Sequence, residues 1–475
     1  MIAKKQIKNI MTFLICLILA AAFIVPASAG TAVPGTIAEK TVFRTTSFEV
    51  HAEPLSTSLS PIVTETGKIS ISVDGLGTDG SGIIQVEKPE GATVRSAYMA
   101  GASLWGNYPI ADGQIKIDGQ DVNWDYFVNK YTYNHWADVT SLVQTKIDAA
   151  PAGRVDFTVT EGGNPYYIDG TILVVIFDDP NQTSDNTIVL LFGAQDINGD
   201  TFNLLLADPI DKSVPDLSFD MGLGISYSYQ SGSAQYSIVN VNGLRLTSTA
   251  GGEDDGYSAN GGLITVGGLD DSNENPANPT APYLDSYNNP RMDDELYDIL
   301  PFVDDGDNTI SVFTSNPSND DNIFFAYFDL KSTVAVVGEG IILSPASATN
   351  PVGTYHTVTA TVQDDTGAPI EAAEVSFKIE TGPHQGLTDS ANTDSNGEAT
   401  FTYMGTDEGT DTIVASFVDS NEKIVYSNTV TKTWEVEEND DDDEPSEEIP
   451  EFPTIALPIV AILGLAFIFN RRKEE

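Results

Sequence analysis

Cysteine is all but missing: the 475 residues include one, Cys16. A lone thiol closes no intrachain disulfide, and thiolate zinc sites and iron–sulfur clusters fall by the same count. Basic residues are scarce too, with 22 Lys and Arg against 70 Asp and Glu and a formal charge of −48. Such a surface repels nucleic acid, whose binding rests on cations neutralising phosphates, and it repels anionic lipid headgroups. It attracts cations, either as diffuse counter-ions that screen self-repulsion or as Ca2+ in oxygen-lined sites. The four histidines, His51, His135, His356 and His384, are too dispersed for a local metal motif. No nucleophile elbow or phosphate loop occurs, and helical periodicity is nearly absent outside the termini.

What is present begins with the two ends. Lys4, Lys5 and Lys8 precede an apolar run from Phe13 to Val25, and Ala27-Ser28-Ala29 stands before Gly30. This pattern reads as a secretory signal peptide over residues 1–29, whose removal takes Cys16 with it. At the other end, Pro450-Glu451-Phe452 opens an uncharged apolar run to Asn470, followed by Arg471, Arg472 and Lys473. The 19 residues from Phe452 to Asn470, at about 1.5 Å rise each, approach the roughly 30 Å hydrocarbon core of a bilayer. The terminal cations favour the cytoplasmic side, so the rest of the chain is expected outside the cell. A buried helix of a soluble domain is the competing reading, and the basic stop argues against it. The tripeptide, apolar helix and basic end together resemble the PEF-CTERM sorting signal of archaeal surface proteins, over 450–475. That resemblance implies an archaeosortase-type processing enzyme as partner. Either the helix holds the chain in the membrane or a lipid replaces it.

Between the termini, residues 30–68 read as a leader or a first edge strand, and 69–335 as one large domain. The domain consists of short β-branched runs bounded by Gly, Asn, Asp or Pro. Ile172–Phe177 and Thr187–Phe192 are apolar throughout and are expected as central strands, while alternating runs such as Arg154–Val159 face water on one side. Ala137–Val143 can start a short helix capped by Asp138 or Thr140. The fold class is therefore all-β, with a large antiparallel β-sandwich of jelly-roll kind. Its segments His135-Trp136-Ala137-Asp138-Val139-Thr140, Asp169–Val175 and Asp321–Ala326 resemble an uncharacterised β-domain family of methanogen surface proteins, which carries no known active residues to transfer.

Residues 338–435 form a second unit. Val358–Val362, Val375–Ile379, Thr393–Tyr403, Thr412–Ala415 and Val430–Trp434 have the spacing of a seven-stranded sandwich, and Asn396-Gly397 supplies a hairpin turn. This unit resembles the bacterial Ig-like repeat of invasin and intimin type, which implies a stalk or spacer. From 436 to 449 the chain is dominated by acids, including Asp440-Asp441-Asp442-Asp443-Glu444. Like charges of that density make an extended spacer.

Chemistry is thinly marked. Asp196, Asn198 and Asp200 put oxygen ligands at alternate positions, and Asp304, Asp305 and Asp307 form another cluster, so structural Ca2+ is one reading. The EF-hand pattern fails, because Thr201 stands where Gly is expected and Ala207 where the bidentate Glu should be. Self-satisfied Asx turns are the other reading. Aromatics crowd Trp124 to Trp136, suited either to stacking on sugars or to a core. Asn181-Gln182-Thr183 is a glycosylation sequon in an accessible loop. Two functions stand open. One is a non-catalytic envelope protein on the outer face of the cell membrane, presenting a β-sandwich head on an Ig-like stalk. Its contacts would be adhesive, to surface glycans or other envelope proteins. The alternative is an exported carbohydrate-binding or carbohydrate-active enzyme, whose paired carboxylates cannot be singled out among 70 acids.

Overall fold

Strands Ile168–Asp178, Asn186–Phe192 and Asn322–Lys331 are buried at nearly every position, on both faces. An antiparallel strand of that kind needs apolar cover above and below. The computed structural model shows where the cover comes from. It describes residues 58–77, 80–103, 108–130, 132–163, 167–227, 237–251, 264–273, 295–317 and 322–436. The signal peptide, most of the leader, the spacer from 437 and the sorting tail lie outside the described residues, which all fall in one compact unit, 51–475.

The region read as one large sandwich is two jelly rolls packed face to face. In the first, Ile69–Leu76, Ile168–Asp178, Thr93–Ser103 and Tyr133–Asp138 form one sheet in that order, extended by Tyr126–Asn129. Ser81–Lys88, Gly153–Glu161, Ile115–Ile117 and Gln120–Asp121 form the other. In the second roll the sheets run Asn186–Phe192, Asn322–Lys331, Ser218–Ser226, then Thr265–Val266 and Leu296–Asp298, against Asp200–Leu206, Thr309–Ser315, Ser237–Val241 and Leu244–Ala250. Counted along each roll, Tyr126–Asn129 aside, both follow the order 1-8-3-6 and 2-7-4-5, the jelly-roll arrangement of two Greek keys. Both also place a helical turn before strand 7: the helix Thr140–Ala149 in the first and the 3-10 turn Leu300–Phe302 in the second. Asp138 Oδ1 accepts the Thr140 N–H at 2.8 Å, while Val139 is the N-cap. The eighth strands share a pattern: Ile172, Phe177 and Asp178 match Ile323, Phe328 and Asp329 in spacing.

Four sheets thus stack in layers, with three apolar clusters between them. The outer clusters fill each roll, around Phe157 and Phe177 in the first and Phe219 and Phe328 in the second. The middle cluster joins the rolls through Ile172, Val174 and Ile176 on one side and Leu190, Phe192 and Phe325 on the other. The outer sheets alternate buried and exposed positions, as Gly153–Glu161 and Thr309–Ser315 show. Ser60–Gly67, in the segment read as a leader or a first edge strand, is an edge strand: it pairs antiparallel with Asn186–Phe192 and ends the second roll's inner sheet.

The Ig-like domain follows almost without a linker. Ala335–Val337 ends the second roll's outer sheet, and Gly340–Ser344 starts the next domain. Gly340–Ser344, Tyr355–Gln363 and Glu398–Met404 face Ser347–Pro351, Val430–Glu435, Gly409–Val418, Glu374–Thr381 and Thr388–Asn392. Ser347–Pro351 and Val430–Glu435 pair in parallel, unlike the other ladders. The expected Asn396-Gly397 turn is present: Gly397 has φ 75°, and a Cβ there would lie 2.4 Å from the Val362 carbonyl. No helix among the described residues is long and apolar enough to cross a membrane.

Phe325→Ala should cost about 3–5 kcal/mol, the range for deleting a buried aromatic. Ile83→Ala, on an outer sheet at 49% exposure, should stay within about 0.5 kcal/mol. Urea denaturation of both variants checks this, and equal costs would rule out a packed layer between the rolls.

Candidate functional site

The Asp196–Asp200 loop joins Asn186–Phe192 to Asp200–Leu206, and its polar atoms close on one another. Asp196 Oδ1 accepts the Asn198 N–H at 2.9 Å, and Asp200 Oδ2 accepts the Asp196 N–H at 2.9 Å. Asp196 Oδ2 meets Lys130 Nζ at 3.0 Å. The Asn198 N–H, then Lys130, hold the Asp196 carboxyl below the usual carboxylate range, whereas burial raises that of Asp200. Asp304, Asp305 and Asp307 belong to a different loop. There Asp307 Oδ2 accepts the Asp304 N–H at 2.9 Å, and Asp305 Oδ1 accepts the Lys212 N–H at 2.9 Å. These carboxylates stand in for missing strand partners of short loops, as Asx turns do. Among the described residues no group of three or more His, Cys, Asp or Glu is placed to hold a metal. The structure does not bring the two clusters together.

Asn181 is exposed on the turn after the first roll's eighth strand, with Nδ2 donating to the Glu90 carbonyl at 2.7 Å and to Asp179 Oδ1 at 2.9 Å. Pro450, Glu451 and Phe452 lie outside the described residues. Of the aromatic run, Trp124, His135 and Trp136 are buried, whereas Tyr126, Phe127 and Tyr133 are half-buried and Tyr131 lies outside the described residues. Trp136 joins the layer between the rolls, stacked on Tyr98 at 5.2 Å and packed against Phe192 at 5.4 Å. On the opposite face His135 packs against Trp124 inside the first roll, and its Nε2 accepts the Ile110 N–H at 3.2 Å.

Three polar constellations had no sequence signal strong enough to find them. At the seam between the rolls, Asn322 Nδ2 donates to Thr132 Oγ1 at 2.8 Å, Ser226 Oγ at 2.9 Å and Asn134 Oδ1 at 3.1 Å. Asn134 Nδ2 in turn donates to the Gly193 carbonyl at 2.7 Å. Removing one member would strand buried dipoles across the seam.

The second is a row of acids. Asp220 is in register with Asp329 on one neighbouring strand and Asp298 on the other. All three point away from the second roll's core, since their neighbours Phe219, Phe328 and Tyr297 fill it. Asp329 is 7% exposed, and its Oδ1 has no hydrogen-bond partner among the described residues. Burial pushes its carboxyl up to about 6, opposed by Lys331 and aided by Asp220. The matching Asp178 of the first roll is instead neutralised by Arg95 at 2.6 Å.

The third closes one end of the Ig-like domain. Buried Asp411 accepts from Tyr403 Oη at 2.9 Å, Trp434 Nε1 at 2.9 Å and His384 Nδ1 at 2.7 Å. Thr406 Oγ1 lies 3.2 Å from His384 Nε2, which gives the outline of a hydroxyl, base and acid relay. That nitrogen, however, accepts the Thr406 backbone N–H at 2.8 Å, and Thr406 Oγ1 donates to Asp407 at 2.8 Å. The lone pair a general base needs is engaged, so the arrangement acts as a clasp. Lys432, also fully buried, rests its Nζ 4.5 Å from the Trp434 ring centroid, and burial lowers its pKa.

Two family models match the chain: the PEF-CTERM archaeal protein sorting domain at residues 449–473 and the bacterial Ig-like domain (group 1) at 347–433. The protein is a surface protein with an archaeal sorting domain and an Ig-like domain. No curated protein matches it. Among solved structures, it aligns with fibronectin(III)-like modules of Clostridium thermocellum CbhA at 20% identity, over 20% of this chain and 96% of that one, TM-score 0.16. A PKD domain of an M14-like peptidase from a Thermoplasmatales archaeon aligns at 17%, over 20% and 92%, TM-score 0.16. A CARDB domain of a Pyrococcus furiosus protein in complex with di-metal ions aligns at 17%, over 21% and 93%, TM-score 0.15. Scores of that size decide nothing about the rolls.

Asp329 makes a pH prediction. An unfolded Asp titrates near 3.8 and the folded one near 6, so between these values the native state holds a proton that the unfolded state has released. This group's contribution to stability falls as pH rises through that window, and above it the buried charge is a net cost. Asp329→Asn should therefore stabilise the protein at pH 7.5, by on the order of 1–3 kcal/mol, with the gain vanishing near pH 4. Urea titrations of parent and variant at both pH values measure it; a gain that grows on acidification would overturn the assignment.

Proposed function

We propose that the protein is a non-catalytic display device of the archaeal cell surface. In this reading the paired jelly rolls form the head, the Ig-like domain the stalk, and the contacts made are adhesive or envelope-building. The observation that carries the reading is the order of the matches: a sorting domain at 449–473 follows an Ig-like domain at 347–433 on one chain. A sorting domain of that type implies handling by an archaeosortase-type enzyme. The apolar run Phe452–Asn470 then serves as a membrane helix until the tail is exchanged. The short joint between head and stalk supports the reading, because a displayed head gains reach from a stalk that does not fold back.

Mass spectrometry of the protein isolated from its native membrane tests this. The mature C-terminus is expected upstream of the basic end, and a peptide containing Arg471 and Arg472 would rule out complete removal of the tail. The same preparation, incubated with a panel of polysaccharides, should release no reducing sugar; release would sink the non-catalytic reading.

A further inference from the structure

Two members of the acid row, Asp220 and Asp329, stand opposite each other on the neighbouring strands Ser218–Ser226 and Asn322–Lys331, on the face turned away from the second roll's core. Side chains so placed have Cβ atoms about 4.5–5.5 Å apart, and like charges there destabilise the pair. Asp298 flanks Asp220 on the other side. It is two strand spacings, roughly 10 Å, from Asp329. Three carboxylates therefore do not converge on one point, and the opposed pair stands as the unit.

The surroundings leave the charge of this pair uncompensated. Asp329 is 7% exposed, with Ile188 in register on its other side and Tyr327 two residues before it on the same face. Its Oδ1 is buried without a hydrogen bond, and so is Oγ of Ser218, two residues before Asp220 and on the same face. Lys331, two residues beyond Asp329, attracts it through space, but among the described residues no Lys or Arg forms an ion pair with either acid. Asn273 Nδ2 donates to Asp220 Oδ1 at 2.7 Å, which holds a side-chain amide beside the pair. In the first roll the matching Asp178 meets Arg95 at 2.6 Å and stands opposite Thr93. One roll neutralises this position with its own guanidinium; the other sets a second acid against it.

We propose that Asp220 and Asp329 bind one Ca2+ between the two strands. A divalent ion neutralises both carboxylates at once, and Ca2+ takes oxygens at about 2.3–2.6 Å in adaptable geometry. Two carboxyl groups on opposed Cβ atoms can bracket an ion of that reach. Ser218 Oγ and the Asn273 amide oxygen are the neutral donors at hand. Mg2+ fits less well, because it demands near-octahedral geometry and keeps several waters, and a carboxylate at 7% exposure leaves them little room. A partner's Lys or Arg would have to bury its stem to reach the same oxygen, whereas a monatomic ion has none. The pair is distinct from the Asp196 and Asp304 loops, in which carboxylates accept backbone N–H groups of the same loop. Neither the sorting tail nor adhesion enters the argument, so this inference and the display reading fail separately.

The test is thermal unfolding of the mature protein in chelator, in millimolar Ca2+, and in Mg2+ at matched ionic strength. Ca2+ should raise the melting temperature over chelator by about 3 °C or more, and Mg2+ by less than about half as much. Asp329→Asn, expected to be the more stable form in chelator, and Asp220→Asn should each lose most of the Ca2+ shift. Asp196→Asn and Asp307→Asn, in the other acid loops, should keep it. An unmoved parent, an equal shift with Mg2+, or a shift abolished by Asp196→Asn or Asp307→Asn overturns the proposal. If Asp220→Asn does not fold, an undiminished shift in Asp329→Asn overturns it.

Discussion

The apolar layer between the two rolls is the constraint on which the rest of the molecule depends. Ile172, Val174 and Ile176 meet Leu190, Phe192 and Phe325 there, and each of these side chains is removed from water. Burial of one such side chain is worth about 1.5–3 kcal/mol. In a chain with one cysteine that layer does what disulfides do in many exported domains. It also fixes the order of the chain. Strand Ile168–Asp178 lies in one inner sheet and Asn186–Phe192 in the other, so the turn between them must cross from roll to roll. Asn186 Nδ2, donating to the Ile69 carbonyl at 2.8 Å, ties that crossing to the first roll's first strand.

The rolls share topology but have diverged where they meet. Asp178 and Asp329 lie at or near the ends of equivalent strands, yet the first is ion-paired with Arg95 and the second stands beside Asp220. The seam is consequently uneven: Asn322 Nδ2 hydrogen-bonds across it to Thr132 and Asn134, while the acid row stores unfavourable charge. Isolated polar groups in an apolar layer add little net stability, but they penalise sliding of one sheet over the other. Slippage by one residue would reverse which side chains face the seam.

Periodicity explains both what could be read from the sequence and what could not. The apolar runs Ile172–Phe177 and Thr187–Phe192 announced strands buried on both faces, and Arg154–Val159 announced one wet face; the structure has all three. Period alone says that a face is covered, not by what, so two stacked rolls and one thick sandwich leave the same trace. The duplication itself rests on few shared positions, such as Phe177 and Phe328, each in its own roll's core. The aromatic run was open between sugar stacking and core, and what buries Trp124 and Trp136 comes from strands far away in the chain. Asp196 and Asp304 illustrate a different limit: a short loop between strands has backbone N–H groups to satisfy, and nearby carboxylates and backbone amides pair within the loop, a pattern that an acid-rich sequence alone does not separate from other roles. Asp411, whose partners come from positions 384, 403 and 434, had no local pattern to betray it.

The joint between head and stalk follows from the same economy of connections. Two residues, Gly338 and Glu339, separate the last strand of the second roll from the first of the Ig-like domain. Gly338 has φ 74°, and a Cβ there would approach Pro61 to 2.9 Å, so its backbone is held against the edge strand Ser60–Gly67. Gln363 Nε2 donates to the Gly338 carbonyl at 2.8 Å, Asn203 Nδ2 to the Thr366 carbonyl at 2.7 Å, and Glu339 accepts from Ser420 at 2.8 Å and 2.6 Å. Hydrogen bonds on several sides of a two-residue connection leave no dihedral free to act as a hinge.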